Sequence, residues 1–543
     1  MTKRLLMLVS MLIIAVLVMA ACGGNNDTET TTNQQQEQQQ TETSETNDTT
    51  EPEQQTGASS RTHLNIVSTN LAVSMDPHES NDQASAQQNV NLFSTLLFQD
   101  YDTFEPLPAL AIAWDVPDAQ TVNIELRRGV TFHNGDPLTA ADVEFSLMRA
   151  AASAEMGIII GMLESVTIHD DYNLTLHLEV PFGPILAHLA HPGTSIIPMN
   201  HVLAVGDSAF AEHPIGTGPF AFESLVIGDR TEFVRFDDYW GTPPSVETIT
   251  WRRVPDASTR LIEVSAGTAD VAFDIAPADL ATAEADPNVN LVTRQNLSLN
   301  DWISLNTSRG PLSDVRVRQA IDYALDTAAI MRTVWGDLGS PAQAPISDIT
   351  WGFVPQQLRS VNLDRARELL EEAGYADGFT LEFWWNSGNN QRMQVAEMVQ
   401  FALAPIGIEI EIHAMEWPTI LELTGVPNPA DSQHDMFIIG WTAVTADADY
   451  GLFPVFHTEN FGAAGNRGYW SNPEVDALLE AGRSSADPSE RLQIYGRVQE
   501  LIVEEVPVIP IRQGMTAMAI SPDLHGFVIA PQGHHTFAPV WFD

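Results

Sequence analysis

The chain has 543 residues, with 25 Lys+Arg against 72 Asp+Glu and a formal net charge of −47. That balance disfavours nucleic acid and anionic lipid headgroups as partners, because phosphates would be repelled rather than neutralised. Lys3 is the only lysine and Cys22 the only cysteine. Past residue 22 there is therefore no lysine for a Schiff base or a phosphate loop, and no thiol for a disulfide, a thiolate metal cluster or catalysis.

From the N-terminus, Lys3 and Arg4 precede an apolar stretch, Leu5 to Ala21, broken only by Ser10. It is shorter than the about 20 residues a spanning helix needs. A positive start, an apolar run and small residues before a break predict a secretory signal over 1–21. Residues 23–60 are mostly Gln, Thr, Glu, Asn and Ser. Such a segment buries too little apolar surface to offset its ordering entropy, so 22–60 is expected to be a flexible tether. About 480 residues remain, enough for two to four domains or two large lobes. The acidity is spread along them and reads as adaptation of an exposed surface to salt or alkaline pH.

In the body, His63 to Ser68 alternates like a strand, and Asn89 to Phe98 reads as a helix. Thr121 to Arg127 alternates again. Thr139 precedes an apolar 3–4 spacing with acids in the first turn, a helix start. Val166–His169 and Asn173–Leu178 read as a hairpin around Asp170 and Asp171. Strands are expected at Glu232–Phe236 and Ile249–Val254, and one continuous helix over Val315–Ile330. Asp364–Ala373 is a helix closed by Gly374. Strands at Thr380–Trp385, Ile408–His413 and Met436–Trp441 alternate with helices at Gln391–Leu403, Pro473–Gly482 and Pro488–Glu504. Alternation of this kind predicts an α/β fold.

Several stretches then carry a resemblance. Leu126 to Ser146 (LRRGVTFHNGDPLTAADVEFS) closely resembles the signature of the extracellular solute-binding proteins of family 5, the peptide and nickel receptors of ATP-driven importers. Met75-Asp76-Pro77-His78, Pro106–Trp114, Ile215–Phe220, Asp238–Gly241, Asp314–Ile321, Ala366–Gly378, Asn472–Leu479 and Arg491–Pro510 resemble further family stretches in the family's order. Met19-Ala20-Ala21-Cys22 resembles a bacterial lipobox, which implies lipid attachment at Cys22 and places the body outside the cytoplasmic membrane, extracellular or periplasmic.

The resemblance implies a two-lobed periplasmic-binding-protein-like fold. Lobe I would comprise 61–100, 211–310 and 511–543, with an inserted subdomain at 101–210; lobe II would be 311–510. It also implies a monomeric receptor that captures a peptide or other small polar solute between the lobes and delivers it to the permease of an ABC importer. No reaction and no cofactor are expected. The alternative is a secreted hydrolase, or a sensor or adhesion lipoprotein, on the same fold.

The candidate site is Gly440 to Tyr450, a strand running into a polar loop at its C-terminal end, the usual ligand edge of an open α/β sheet. Trp441 offers a flat apolar wall with one donor. In peptide-binding relatives this loop carries an aspartate for the peptide ammonium; that position falls near Val444 here. Asp447 and Asp449, a few residues on, are the candidates for that pairing, since a buried ammonium needs a partner, and Tyr450 joins them. Trp385, Asn386 and Trp417 end or follow strands of the same lobe. Asn306 ends the Trp302–Leu305 strand near the expected lobe crossing. No metal site is expected: there is no HxxxH or HExxH spacing, and the adjacent His534 and His535 would point to opposite faces of a strand.

Overall fold

The computed structural model describes residues 61–543 except 296, 464 and 486. The signal, the tether and Cys22 lie outside the described residues. Among the described residues no helix is long and apolar enough to cross a membrane.

Three sheets organise the body. The first has seven strands, in the order Asn290–Arg294, Thr516–Ile520, Val271–Ala272, His63–Ser68, Thr248–Arg253, Arg230–Arg235 and Phe220–Val226. The second has six, in the order Gly339–Pro341, Val508–Gly514, Leu299–Leu305, Met436–Thr442, Phe379–Asn386 and Ile408–Met415. A four-stranded antiparallel sheet, Ala111–Asp118, Thr121–Leu126, Asn173–Leu178 and Leu163–Asp170, lies between the first two strands of the first body in sequence.

The chain leaves the first sheet after Arg294 and enters the second at Leu299, and it returns at Met515, where Val508–Gly514 runs directly into Thr516–Ile520. This corrects the expected lobe limits at 310 and 510. Leu299–Leu305 pairs with both Met436–Thr442 and Val508–Gly514, so its backbone hydrogen bonds commit it to the second sheet. Two short passages between separately cored bodies are the usual anatomy of a hinge.

Local chemistry explains most elements. Thr139 and Asp142 form a capping box that starts the helix Ala140–Ala152. Asp487 accepts from the Ser489 and Glu490 amides and starts Pro488–Glu505. Three expectations fail for capping reasons. The first helix is Gln83–Leu92, started by Asp82, whose side chain accepts from the Ala84 and Ser85 amides, and it ends before the expected range does. The helix expected over 315–330 is two, Val315–Ala324 and Thr327–Trp335, because Asp326 caps a new start by accepting from the Ala329 amide. The stretch expected as a polar loop turns into the helix Ala448–Phe456, with Asp447 as its cap.

Each body has its own apolar core. Phe93, Phe220, Trp251, Phe273 and Phe537 pack on the first sheet. Ile303, Phe383, Ile438, Ile321 and Val399 fill one face of the second. Trp302, Phe456, Trp470 and Tyr495 fill its other face. The inserted sheet packs around Phe132, Leu147, Leu174 and Phe182, and that core also takes in Tyr450, with Trp441 and Val444 against it.

Candidate functional site

Two charged constellations sit on the second sheet, one on the helix that follows Met436–Thr442 and one at the carboxyl edge itself. The first contains the residues the sequence singled out. Asp447 caps its helix by accepting from the Asp449 amide at 2.8 Å. Its carboxylate also accepts from Arg491 Nη2 at 2.7 Å. Burial works against the charge on Arg491, but Asp447 and Tyr495 together outweigh it and raise the guanidinium's pKa. Asp449 is 1% exposed. It accepts from Arg483 Nη2 at 3.1 Å and from the Tyr495 hydroxyl at 3.5 Å. His188 of the inserted body approaches it, Nε2 at 3.7 Å.

Both aspartates are thus paired inside the protein. The expectation that either meets a ligand ammonium is corrected by this: a carboxylate already bound to a buried guanidinium presents no free charge. Their role in the structure is to fasten the loop. Tyr450 donates from its hydroxyl to Asn81 Oδ1 at 3.1 Å, Gln99 Nε2 donates to the Thr445 carbonyl at 2.6 Å, and the Arg483 guanidinium lies 5.1 Å from the Phe182 ring. Residues 445–450 and Arg483 therefore join the second sheet's body to the other two. Trp441 is half-buried among them; its indole donates to the Tyr450 carbonyl at 2.9 Å and its ring tilts against Tyr450 at 5.4 Å.

The second constellation lies where Phe379–Asn386 and Met436–Thr442 end. Arg392, in the first turn of the helix Asn390–Leu403, donates to Asn386 Oδ1 at 2.9 Å. Its guanidinium is 3.8 Å from Asp301 and 5.4 Å from the Trp417 ring. Arg512 reaches the same Asp301 at 3.2 Å. The two side chains are 16% and 10% exposed. Among the described residues, Asp301 is the ion-pair partner of both. Burial lowers the pKa of Arg392, Asp301 opposes that, and Arg512 adds to the lowering. Burial also lowers the pKa of Arg512, against Asp301 and a more distant Asp274. Gly440 makes room for the shared carboxylate: a Cβ there would sit 2.7 Å from Asp301 Oδ1. Asn386 and Trp417, both half-buried, are thereby brought together at one edge with two arginines the sequence reading missed. A lone arginine after Asn386 carries no local signal; only its burial marks it.

The remaining candidates separate. Trp385 packs against the core of the second sheet. Asn306 is 0% exposed and donates to Ser432 Oγ at 2.6 Å and the His434 carbonyl at 2.8 Å, so it locks a turn and faces no cleft. A crevice of about 20 Å³ beside Trp441, also lined by Ser304, Asn466, Arg467 and Trp470, has room for about one water. Its Arg467 is within electrostatic reach of Glu155 of the inserted body, whose pKa burial raises while Asp82 adds to the rise and Arg467 opposes it.

Residues 105–463 match the family described as bacterial extracellular solute-binding proteins, family 5 Middle. The chain belongs to this family. It is 31% identical over 471 residues to the glutathione-binding protein GsiB of Salmonella choleraesuis (strain SC-B67), covering 85% of this chain and 91% of that one. It is 29% identical over 482 residues to the dipeptide-binding protein of Escherichia coli (strain K12), covering 83% and 89%. The crystal structure of a dipeptide-binding protein from Pseudoalteromonas sp. SM9913 in complex with Met-Leu superposes with a TM-score of 0.83 at 26% identity, covering 89% of this chain and all of that one. The fold is therefore the two-lobed periplasmic-binding-protein type, and the role is solute binding. The expectation of that family and fold is borne out. The family consists of transport binding proteins rather than enzymes.

Proposed function

We propose that the chain captures a short peptide or peptide-like solute, glutathione included, between its two large bodies and hands it to the permease of an ABC importer. The observation that carries this reading is the uneven charge at the carboxyl edge. Among the described residues Arg392 and Arg512 share Asp301 as their ion-pair partner, with Asp274 acting on Arg512 from further off, in a chain of net charge −47. A buried cation in excess needs an anion, and a solute carboxylate bound by the Arg392 fork would supply it. Glu155 of the inserted body lies within electrostatic reach of Arg467 and Asp82.

Capture and release follow from the hinge. Closure takes water from the charged ends of the solute and strengthens each contact, and the permease senses the closed shape. Relatives that bind glutathione and dipeptides support this chemistry. The same reading has the chain acting without catalysis, as a monomer tethered by lipid on Cys22 at the outer face of the cytoplasmic membrane.

Native mass spectrometry of the body, residues 61–543, purified gently from its host, tests it. A bound mass that fragments as a peptide or as glutathione is expected. A protein that arrives empty and shows no calorimetric heat with glutathione or a dipeptide panel would overturn the peptide reading. Intensity for Cys22 carrying two or three acyl chains in the full-length protein tests the anchor.

A further inference from the structure

Away from the carboxyl-edge arginines, three side chains on the second sheet form a donor set that no binding-protein function requires. Phe379–Asn386 and Ile408–Met415 run parallel, with Glu382 beside Glu411 and Trp384 beside His413. Side chains two apart on a strand share a face. Glu382, Glu411 and His413 therefore project from the same side, and each offers one ligand atom within 4.8 Å of the others. His413 Nε2 lies 3.9 Å from the nearer Glu411 oxygen. Ile408–Met415 is the edge strand of the sheet, and the His413 and Glu411 side chains are 42% and 60% exposed, so an ion has a path in.

Two further features fit a bound cation. Like charges directly opposed on neighbouring strands repel, yet Glu382 and Glu411 are neighbours in register. The His413 Nε2 atom is itself shielded from solvent but has no hydrogen-bond partner, although a shielded ring nitrogen is ordinarily satisfied. The Trp384 indole N–H donates to Glu382 Oε2 at 2.9 Å, which holds that carboxylate in place and leaves its other oxygen to bind. This is how outer partners orient a metal ligand.

We propose that Glu382, Glu411 and His413 form a surface site for a divalent ion of the zinc class, completed by water. One imidazole with two carboxylates suits a borderline ion of that kind; calcium would take oxygen ligands alone. Bound there, the ion bridges the last two strands of the sheet and neutralises the facing carboxylates. The site is separate from the solute cleft and stands whether or not the cleft takes peptides.

The test is calorimetric titration of Zn²⁺ into the chelator-stripped full chain. One saturable site of micromolar affinity is expected. His413→Ala and Glu411→Gln should each weaken it at least tenfold, whereas Glu409→Gln, an exposed acid one step along the same face, should change it less than twofold. A hundredfold excess of Ca²⁺ should leave it in place. Cobalt in place of zinc should give a visible absorption band that His413→Ala abolishes. Absence of a saturable site, equal affinity in His413→Ala and wild type, or displacement by Ca²⁺ would each overturn the proposal. Circular dichroism of each variant checks that the fold is kept.

Discussion

The 447–450 segment and the carboxyl edge at Arg392 are both charged, both buried and both on the second sheet, yet they are built oppositely. In the first, Asp447 faces Arg491 and Asp449 faces Arg483, one cation to each anion. In the second, two guanidiniums share Asp301. A balanced buried pair fastens structure and has nothing left to offer a solute. An unbalanced one is held by its surroundings and gains when the missing charge arrives. Acid-rich sequence thus marked the fastener, while the proposed site is marked by arginines that look ordinary in the sequence.

The comparison is broken first at its strongest point. Arg491→Ala leaves Asp447 buried without its partner and should cost about 3–5 kcal/mol of stability by chemical denaturation. Asp447→Asn should also lower stability while changing the affinity for glutathione or a dipeptide less than threefold. If Asp447→Asn and Asp449→Asn instead abolish solute binding at unchanged stability, the two roles are reversed.

Acid titration is the next in size. Burial holds the His188 pKa down at about 4, against Asp449, which raises it. With an unfolded value of 6.5, the unfolded chain binds the proton first as pH falls. Stability should therefore be complete above pH 6.5 and decline between 6.5 and 4, by up to roughly 3 kcal/mol from this residue. His78, His133, His434 and His534 are held down to about 4 in the same way. Denaturation midpoints from pH 7 to 4 check the slope, and His188→Gln should flatten it.

Arg392→Gln should keep the fold and weaken peptide binding ten- to a hundredfold by calorimetry, the worth of one charge-assisted contact, about 1.4–3 kcal/mol. Unchanged affinity would remove the carboxyl edge from the site. At the small end, Glu500→Gln removes an exposed pair to Arg497, whose side chains are 40% and 53% exposed. It should shift stability by less than about 0.5 kcal/mol.

Much of the fold was legible in the residues. Asp487 with Pro488, and Thr139 with Asp142, announce their helices because a cap acts within one turn. Alternation placed Thr121–Leu126 and Asn173–Leu178 because a half-buried strand repeats every second residue. The proposed site was legible only in part. Trp417 and Asn386 reach the carboxyl edge because they end or follow strands, a local property. Asn306 ends a strand too, but Ser432 and His434 surround it, and they are distant in sequence.

What the sequence determined by itself is therefore what short-range forces decide: caps, strand alternation, the ordered motifs of the family and the acidic surface. The tertiary structure alone decided which charges meet. Arg491 finds Asp447 across 44 residues, and Arg512 and Arg392 converge on Asp301 from different elements. Strand register alone sets Glu382 beside Glu411. Pairing of this kind depends on burial and on contacts between remote segments, because an ion pair is strong only where water is excluded. Exclusion of water is a property of the packed molecule, not of any stretch of chain.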